Sequence, residues 1–527
     1  MTDEIKKNVE ARKQAEKEAS AAAEKKDDPI TPKFVEDCLY ANELGDGALF
    51  AALHQGRFIF NKTTGRWLRW AGHHWELDVF EKVYVAVEEV AQRYLGAAAA
   101  LMSEITKAIE EKESDKTKKL RKKQEMLNDR ARRLRGPGAA LCLDWAPRVA
   151  DGLSAREEQF DINPWFLACA NGVIELATGR FRPGRPGDMI TRAVPHAWTD
   201  IDCPAPGWEK FVDGIMDGNA EHTAYLQRFF GYGITGLVKE HKFAVLYGEE
   251  GRNGKGTLVE TLKYVLGPLA EPIQTEMLLD QRFSRSSSGP SPDIMSLKGL
   301  RLAFASEIEK GRRFSASQIK RLTGGDTLKA RSPNDKYETV FPPTHLLCLL
   351  TNHLPHAPAE DGAFWDRMHA IPFTLRFVDN PAPDSNDRPR DKDLPEKLRE
   401  ETPGILAWLV RGCIEWQRQG LNPPARVTRT TEQYRFTEDV LANFLADCCE
   451  SPENTPEHSR VKYNEVHKAF KLWFEAEHGD LKYIPKKKVF GQSLDKRFRR
   501  EEKGGHVWVK NIALKPNDDD QFGWNGE

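Results

Sequence analysis

None of the eight cysteines stands in a C-x-x-C pair, so the chain offers neither a zinc ribbon nor a disulfide framework, and a reducing compartment is its natural setting. Long apolar runs are missing too. No stretch reaches the roughly 18 uninterrupted apolar residues of a membrane span, and the first twenty residues lack the apolar core of a secretory signal. An excess of one charge is also absent: 78 Lys and Arg face 80 Asp and Glu. That balance excludes a uniformly basic nucleic-acid coat but not local patches. No self-repeat of 20 to 50 residues is visible, which excludes solenoids and propellers.

What is present describes a soluble globular chain. Its 527 residues allow three or four domains, and 39% hydrophobic residues with 13 Trp and 26 Phe are enough for several cores. Residues 1–30 are Lys, Glu and Ala ending in EKKDDP and read as a charged, flexible arm. Residues 31–160 read as an α+β region: RFIFNKTTGRWLRW is a hairpin, and residues 81–100 and 101–135 are helical, the latter a long charged helix closed by GPG. Residues 161–240 alternate apolar segments with NG, TG and PG turns, then turn helical. A Pro, Asp and Arg-rich tract near 378–395 reads as a loop, and SPENTPEHS near 451–459 as a boundary.

The segment with the most chemical content is KFAVLYGEEGRNGKGTLVETLKYVLG. An apolar strand, Phe243 to Tyr247, runs into a glycine-bearing loop with Gly251, Asn253 and Gly254, and Lys255, Gly256 and Thr257 open an amphipathic helix. This is the phosphate-loop form. Backbone N–H groups at the helix start would wrap a phosphate, Lys255 would bridge the β- and γ-phosphates of ATP, and the Thr257 hydroxyl would ligate Mg²⁺. Farther on, LRLAFASEIEKG is a strand over Leu300–Phe304 that leads to Ser306 and Glu307. Glu307 is placed to polarise a water and Ser306 to complete the Mg²⁺ shell, the other reading being a surface-loop glutamate. THLLCLLTNHLP is a second buried strand, tipped by Asn352, a γ-phosphate sensor or a turn residue.

Here the chain resembles superfamily 3 helicases, and more closely the phage/plasmid and poxvirus-type primase-helicases. GRNGKGT, ASEIEKG, LTGGD, TNHLP and FWDRMHAIPF carry the likeness, which runs upstream through NGVIELATG and LQRFFGYGITG over residues 160–375. It implies an α/β fold with a P-loop, AAA+-like ATPase core over 241–400. It also implies that Lys255 and Thr257 bind ATP and Mg²⁺, that Glu307 activates water, that Asn352 is the sensor and that Arg367 reaches a neighbouring subunit's γ-phosphate in a homo-oligomer, a hexamer in this reading. An intramolecular salt bridge of Arg367 with Asp361 or Asp366 is the alternative. Two residues depart from the pattern: Gly256 separates Lys255 from Thr257, and Ser306 stands where other members carry a second acid.

DTLKARSPNDKYETVFPP reads as a hairpin presenting Lys329, Arg331 and Lys336, which in the family lines a channel for single-stranded DNA. Residues 401–515 give helices and then a helix, helix, strand order that suggests a winged helix. From Leu481 to Arg500 eight basic residues, Lys487 and Arg497 among them, face the single acid Asp495. They would bind duplex or forked DNA, or form a solvated face. Relatives often carry a primase N-terminally, and a separate primase or polymerase partner is the other expectation. In this chain only the D-x-D of Asp391 and Asp393 and the group His73, His74, Glu76 and Asp78 hint at one, and the histidines read as turn residues. The resemblance places the protein in the cytoplasm of a bacterial host, with no membrane partner.

Overall fold

The computed structural model describes residues 30–281, 290–306, 311–333, 338–382, 387–450, 455–456, 458–478, 484–485 and 487–515, without the side chains of Asp151 and Val489. The charged arm expected before residue 30 lies outside them. The fold is mixed α/β and divides into two compact units. One runs to Glu175 and includes Arg180–Trp198, and the other takes Leu176–Gly179 and the chain after Thr199.

The first unit contains α1 (Pro32–Tyr40), α2 (Asn42–His54), β1 (Phe58–Asn61), β2 (Arg66–Trp70), β3 (Trp75–Leu77), α3 (Lys82–Glu110), α4 (Ser114–Leu134), α5 (Gly138–Val149), β4 (Ser154–Ala155), β5 (Phe166–Cys169), β6 (Gly172–Glu175) and β7 (Arg180–Arg182). The hairpin forms where NKTTG predicts it. Asn61 Oδ1 accepts from the backbone N–H of Thr63 and Thr64 at 3.0 and 3.2 Å, and Gly65 takes the positive φ of 67° that closes the turn. The helical stretch breaks at residues 111–113 rather than at 100, with Lys112 at φ 56°. Ala, Leu and Glu carry α3 through residue 100 without a breaker. Its apolar stripe, Val90, Tyr94, Leu101 and Ile105, is buried with Leu127, Ala131 and Leu134 of α4 in one cluster.

The second unit begins with α6 (Pro206–Ile215) and α7 (Ala220–Gly233). Then come β8 (Phe243–Tyr247), α8 (Lys255–Leu266), β9 (Ala270–Pro272), α9 (Pro292–Ser296), β10 (Leu302–Ser306), α10 (Ala316–Leu322), the hairpin of β11 (Leu328–Ala330) and β12 (Thr339–Phe341), β13 (Leu346–Thr351), α11 (Gly362–Trp365) and β14 (Met368–Pro372). Five of these strands make one sheet in the order β14-β8-β13-β10-β9, every pair parallel. Parallel strands covered on both faces are near-continuous apolar runs, and Phe243, Ala244, Val245, Leu246, Leu302, Ala303 and Leu349 are fully buried. The expected strand over Leu300–Phe304 is realised two residues later, because Leu297 to Arg301 are used in the turn that leaves α9.

After the sheet, β15 (Arg376–Val378) pairs in parallel with β16 (Asp387–Pro389), so the tract expected to be a loop carries one short strand, β16, that returns to the strand leading into it. Then follow α12 (Leu394–Glu400), α13 (Thr402–Gln419), α14 (Ala425–Glu438), α15 (Val440–Cys448), β17 (Arg460–Lys462), α16 (Tyr463–His478), α17 (Lys487–Asp495), β18 (Arg500–Lys503) and β19 (His506–Lys510). The stretch from Ala425 to Cys448 is two helices. Asp439 interrupts it and caps α15 through Ala442 N at 2.9 Å. Strands β17, β19 and β18 form an antiparallel sheet, and Phe444, Phe470, Phe490 and Val509 share the core of this tail. Of the eight cysteines only Cys203 and Cys448 are more than marginally exposed.

Helices α7 and α13 meet backbone to backbone. A Cβ on Gly231 would lie 2.2 Å from Cys413 N, and one on Gly412 2.1 Å from Gln227 O. Gly96, mid-way along α3, has open space instead. Gly412→Ala should therefore lose about 1–3 kcal/mol through forced separation of the helices, whereas Gly96→Ala should gain about 0.5–1 kcal/mol. Urea unfolding of the two variants checks both signs.

Candidate functional site

The site is built where parallel strands end. The register sets Thr351 beside Tyr247, and Ser306 beside Leu350, so the residues that follow β8, β13 and β10 meet on one edge of the sheet. In open α/β sheets ligands bind outside this carboxyl edge.

From Tyr247 the chain turns through Gly248 to Gly254, which takes φ 84° as the residue before α8. A side chain at Gly254 would meet Ile215 at 2.4 Å, so α6 presses on the loop and requires glycine there. Asn253 is buried and donates from Nδ2 to Glu250 O at 2.7 Å, which fixes the loop from inside. Lys255 is the first residue of α8 and only 5% exposed. Its Nζ donates to Gly248 O at 3.2 Å and to Asn352 Oδ1 at 2.9 Å. Burial lowers its ammonium to about 8. The free N–H groups of the α8 N-terminus, the positive end of its dipole and this lysine make a place able to hold a phosphate-like anion.

Of the hollows beside the loop, two reach the start of α8. One, of about 270 Å³, is lined by Gly251, Asn253, Lys255, Gly256, Ser306 and Asn352 among others, so four elements meet there. Thr257 is not among its lining residues. It lines the other hollow, of about 410 Å³, with Phe211 of α6, Phe377 of β15, Arg252, Arg390 and Leu394. One residue of helix separates Thr257 from Lys255, and the inserted Gly256 turns the hydroxyl by about 200° from it. Sequence reading missed Phe211, Phe377, Arg252 and Arg390. Their signal is faint: Arg252 lies inside the glycine loop itself, but the two phenylalanines and Arg390 stand far from it in sequence.

The remaining candidates are dispersed. Arg367 immediately precedes β14, and its carbonyl accepts from Phe243 N at 2.8 Å, at the start of β8. It therefore sits at the opposite edge of the sheet from the loop, roughly 13 Å or more away along β8. Its guanidinium donates to Ala363 O at 2.7 Å, and Asp361 pairs with Lys320 at 2.7 Å, so neither alternative ion pair forms. Lys329 on β11 pairs with Glu338, while Arg331 follows this strand. Lys487 donates to Asn464 Oδ1 at 2.9 Å, and Arg497 pairs with Asp439. Glu307 and Lys336 lie outside the described residues. His73 and His74 stand in the turn between β2 and β3; Asp391 is exposed and pairs with Lys397 at 2.7 Å. Among the described residues no group of three or more His, Cys, Asp or Glu is placed to hold a metal ion, and no helix is long and apolar enough to cross a membrane.

Residues 47–217 match the D5 N terminal like family, and residues 246–367 a family of unknown function, DUF5906. The curated relatives include "Putative helicase L207/L206" of Acanthamoeba polyphaga mimivirus, 28% identical over 60% of this chain and 33% of its own length. These matches support a primase-helicase family of the phage and poxvirus type. A further relative is "Putative helicase 184R" of Invertebrate iridescent virus 6, 25% identical over 71% of this chain and 41% of that protein. The chain thus spans one third to two fifths of the length of these two relatives. The apo NrS-1 C terminal region shares 12% identity over 60% of this chain and 79% of its own, at a TM-score of 0.35, too loose a likeness to bear on the fold.

A lysine at about 8 is charged below that pH and neutral above it, so it attracts an anion at pH 7 and loses that attraction by pH 9. The advantage of the native chain over Lys255→Met in binding tripolyphosphate should shrink about tenfold across that interval. Calorimetric titration at the two pH values reads it; a constant advantage would show that the lysine charge does not face the anion.

Proposed function

We propose that this protein is an ATP-driven DNA helicase of the superfamily 3 type. In this reading it works as a ring, hexameric by family resemblance, translocating on single-stranded DNA and opening duplex during phage, prophage or plasmid replication. The observation that carries the reading is the bond between Lys255 and Asn352 at the carboxyl edge of a parallel sheet, with Ser306 lining the same hollow. A strand, a glycine loop and a helix opened by lysine are the parts of a P-loop ATPase core of AAA+-like type.

Each residue then has a physical task. Lys255, desolvated and held on two oxygens, exchanges them for β- and γ-phosphate oxygens of ATP. Backbone N–H groups from Gly254 to Thr257 cradle the phosphates, and Phe211 and Phe377 across the second hollow take the base between them. Asn352, released by the lysine, is free to orient the γ-phosphate or a water. Bound with the phosphates, Mg²⁺ would supply neutralisation of charge, and it would ask the chain for only one or two oxygens. Ser306 offers one in the lysine hollow, whereas Thr257, named first on sequence, faces the other. Glu307 as the water-activating base rests on the sequence pattern. Arg367, at the far edge of the sheet, serves a neighbouring subunit, which makes each firing depend on assembly.

Lys329 and Arg331 of the β11–β12 hairpin, with Lys336 added on the sequence pattern alone, would grip the strand in the channel. Lys487 and Arg497, on the winged-helix-like tail, would meet forked DNA, with Arg497 first leaving Asp439. A separate primase or polymerase is the expected partner. One observation favours a second reading, an ATP-binding initiator or scaffold that assembles on DNA with little turnover: a serine, not an acid, ends β10.

ATP hydrolysis with and without single-stranded DNA, and unwinding of a forked duplex, test the proposal. Lys255→Ala should abolish turnover while its unfolding midpoint stays unlowered. Arg367→Ala should be inactive alone and regain part of its turnover when mixed with Lys255→Ala subunits, which retain the arginine. Undiminished turnover in Lys255→Ala would remove the site, and ATP and DNA binding without hydrolysis in the intact chain would leave the initiator.

A further inference from the structure

A second feature, apart from the nucleotide site, lies in the first unit. Helix α4 carries nine Lys and Arg against Asp115, Glu125 and Asp129, in a chain whose total charge is nearly zero. Five of the nine have acidic partners: Lys116 with Glu113, Lys123 with Glu36, Arg130 with Asp46, Arg132 with Asp129 and Arg133 with Glu43. The other four, Lys118, Lys119, Arg121 and Lys122, are consecutive among the basic residues and exposed, with no acid within ion-pair distance among the described residues. Lys118 and Lys122, one turn apart, and Lys119 and Lys122, three residues apart, are neighbours on the helix surface at about 5–6 Å.

The helix that holds them is not free to reorient. Leu127, Ala131 and Leu134 are buried with Ala98, Leu101 and Ile105 of α3, Leu120 packs on the same cluster, and Gln124 Nε2 donates to Ala98 O at 3.1 Å. The like charges are therefore kept together on one fixed face, and Asp115 and Glu125, three or four residues from them along the helix, offset their mutual repulsion only in part, since neither forms an ion pair with the four. Glu104 and Glu110 of α3 and Glu125 of α4 are also exposed, but none comes within ion-pair distance of the four.

We propose that this face of α4 is a contact surface for the phosphodiester backbone of a nucleic acid. The composition selects among polyanions. A membrane surface would require apolar side chains beside the cations to enter the lipid, and Leu120, the apolar residue within the cluster, is turned toward the core. A protein partner would require an aromatic or aliphatic anchor at the centre of the patch, and the centre is Arg121 and Lys122. Cations in the majority, with Asp115 and Glu125 beside them and Met126 as the exposed large apolar side chain of α4, closely spaced on a rigid element, suit a row of phosphates, where release of counterions drives binding without reading sequence.

The test is the salt dependence of binding by the full chain to a fluorescent oligothymidine and to a fluorescent duplex, compared with Lys118→Gln/Lys119→Gln/Arg121→Gln/Lys122→Gln. All four side chains are exposed, so the variant should keep its unfolding midpoint. A second variant, Lys118→Arg/Lys119→Arg/Lys122→Arg, keeps the charge. The glutamine variant should bind roughly tenfold or more weakly, with a slope of log affinity against log salt shallower by about 3 for the single strand or about 4 for the duplex, at roughly 0.7 and 0.9 per neutralised phosphate. Whichever probe shows the change names the strandedness of the ligand. The arginine variant should match the native chain. ATP turnover measured without DNA should be the same in all three proteins, which separates this surface from the nucleotide site. Native slope and affinity in the glutamine variant would overturn the proposal. So would a change in oligomeric state with binding untouched, which would assign the face to contact between copies.

Discussion

Every strand of the central sheet runs the same way, and that constraint decides where chemistry can occur. A parallel strand buried on both faces has no room for polar side chains along its length, so Phe243–Tyr247, Leu302–Ala305 and Leu346–Leu349 are almost wholly apolar. Polar residues accumulate where the strands stop. Because register holds β8, β13 and β10 level, Lys255, Asn352 and Ser306 arrive together although up to 97 residues separate the bonded pair. The opposite edge receives Arg367 by the same rule. One sheet thus presents a lysine edge and an arginine edge, which in a single chain never meet.

The loop shows how much of this depends on packing rather than on local sequence. Gly254 is constrained from outside by Ile215, and Asn253 from inside by the Glu250 carbonyl. Lys255 is held by a backbone carbonyl and by a side chain from another strand. Removing a buried lysine from water is costly, and its two oxygen partners offset only part of that cost, as the lowered proton affinity records. An anion in the same hollow would supply the missing compensation. The ammonium is strained toward neutrality until a ligand arrives.

Parts of this were legible in the sequence and parts were not. The strand Phe243–Tyr247 and the helix from Lys255 were, because five apolar residues, a glycine loop and a lysine are a local pattern. The hairpin at Asn61 was as well, since an Asn side chain that bonds its own backbone needs no distant partner. The side of the loop on which Thr257 lies was not. It depends on a rotation along α8 and on Phe211 and Phe377, brought from two other segments. The break at Lys112 was misplaced because helix formers run on both sides of residue 100. The pairing of Arg497 with Asp439 was hidden for the same reason: a run of cations shows in the sequence, but the acids that answer it are supplied by the fold. On α4 the reverse holds, since Glu36 and Glu43 fold back to some of its cations and leave four unanswered.

The distribution of cysteine has a practical consequence. Six of the eight thiols are buried, and burial pushes Cys38 up to about 11 and Cys169, Cys413 and Cys449 up to about 12. Cys448, partly exposed, is pushed up to about 11. The thiolate is the form that reacts with maleimides and disulfides, so at neutral pH these groups are nearly inert in the folded chain. Cys203 is the other partly exposed thiol. With Cys203 replaced, one cysteine introduced on the surface becomes a nearly unique handle for a fluorophore or a spin label. The native fold then protects its own sulfur atoms, and a fluorescence distance on the folded chain needs no cysteine-free background.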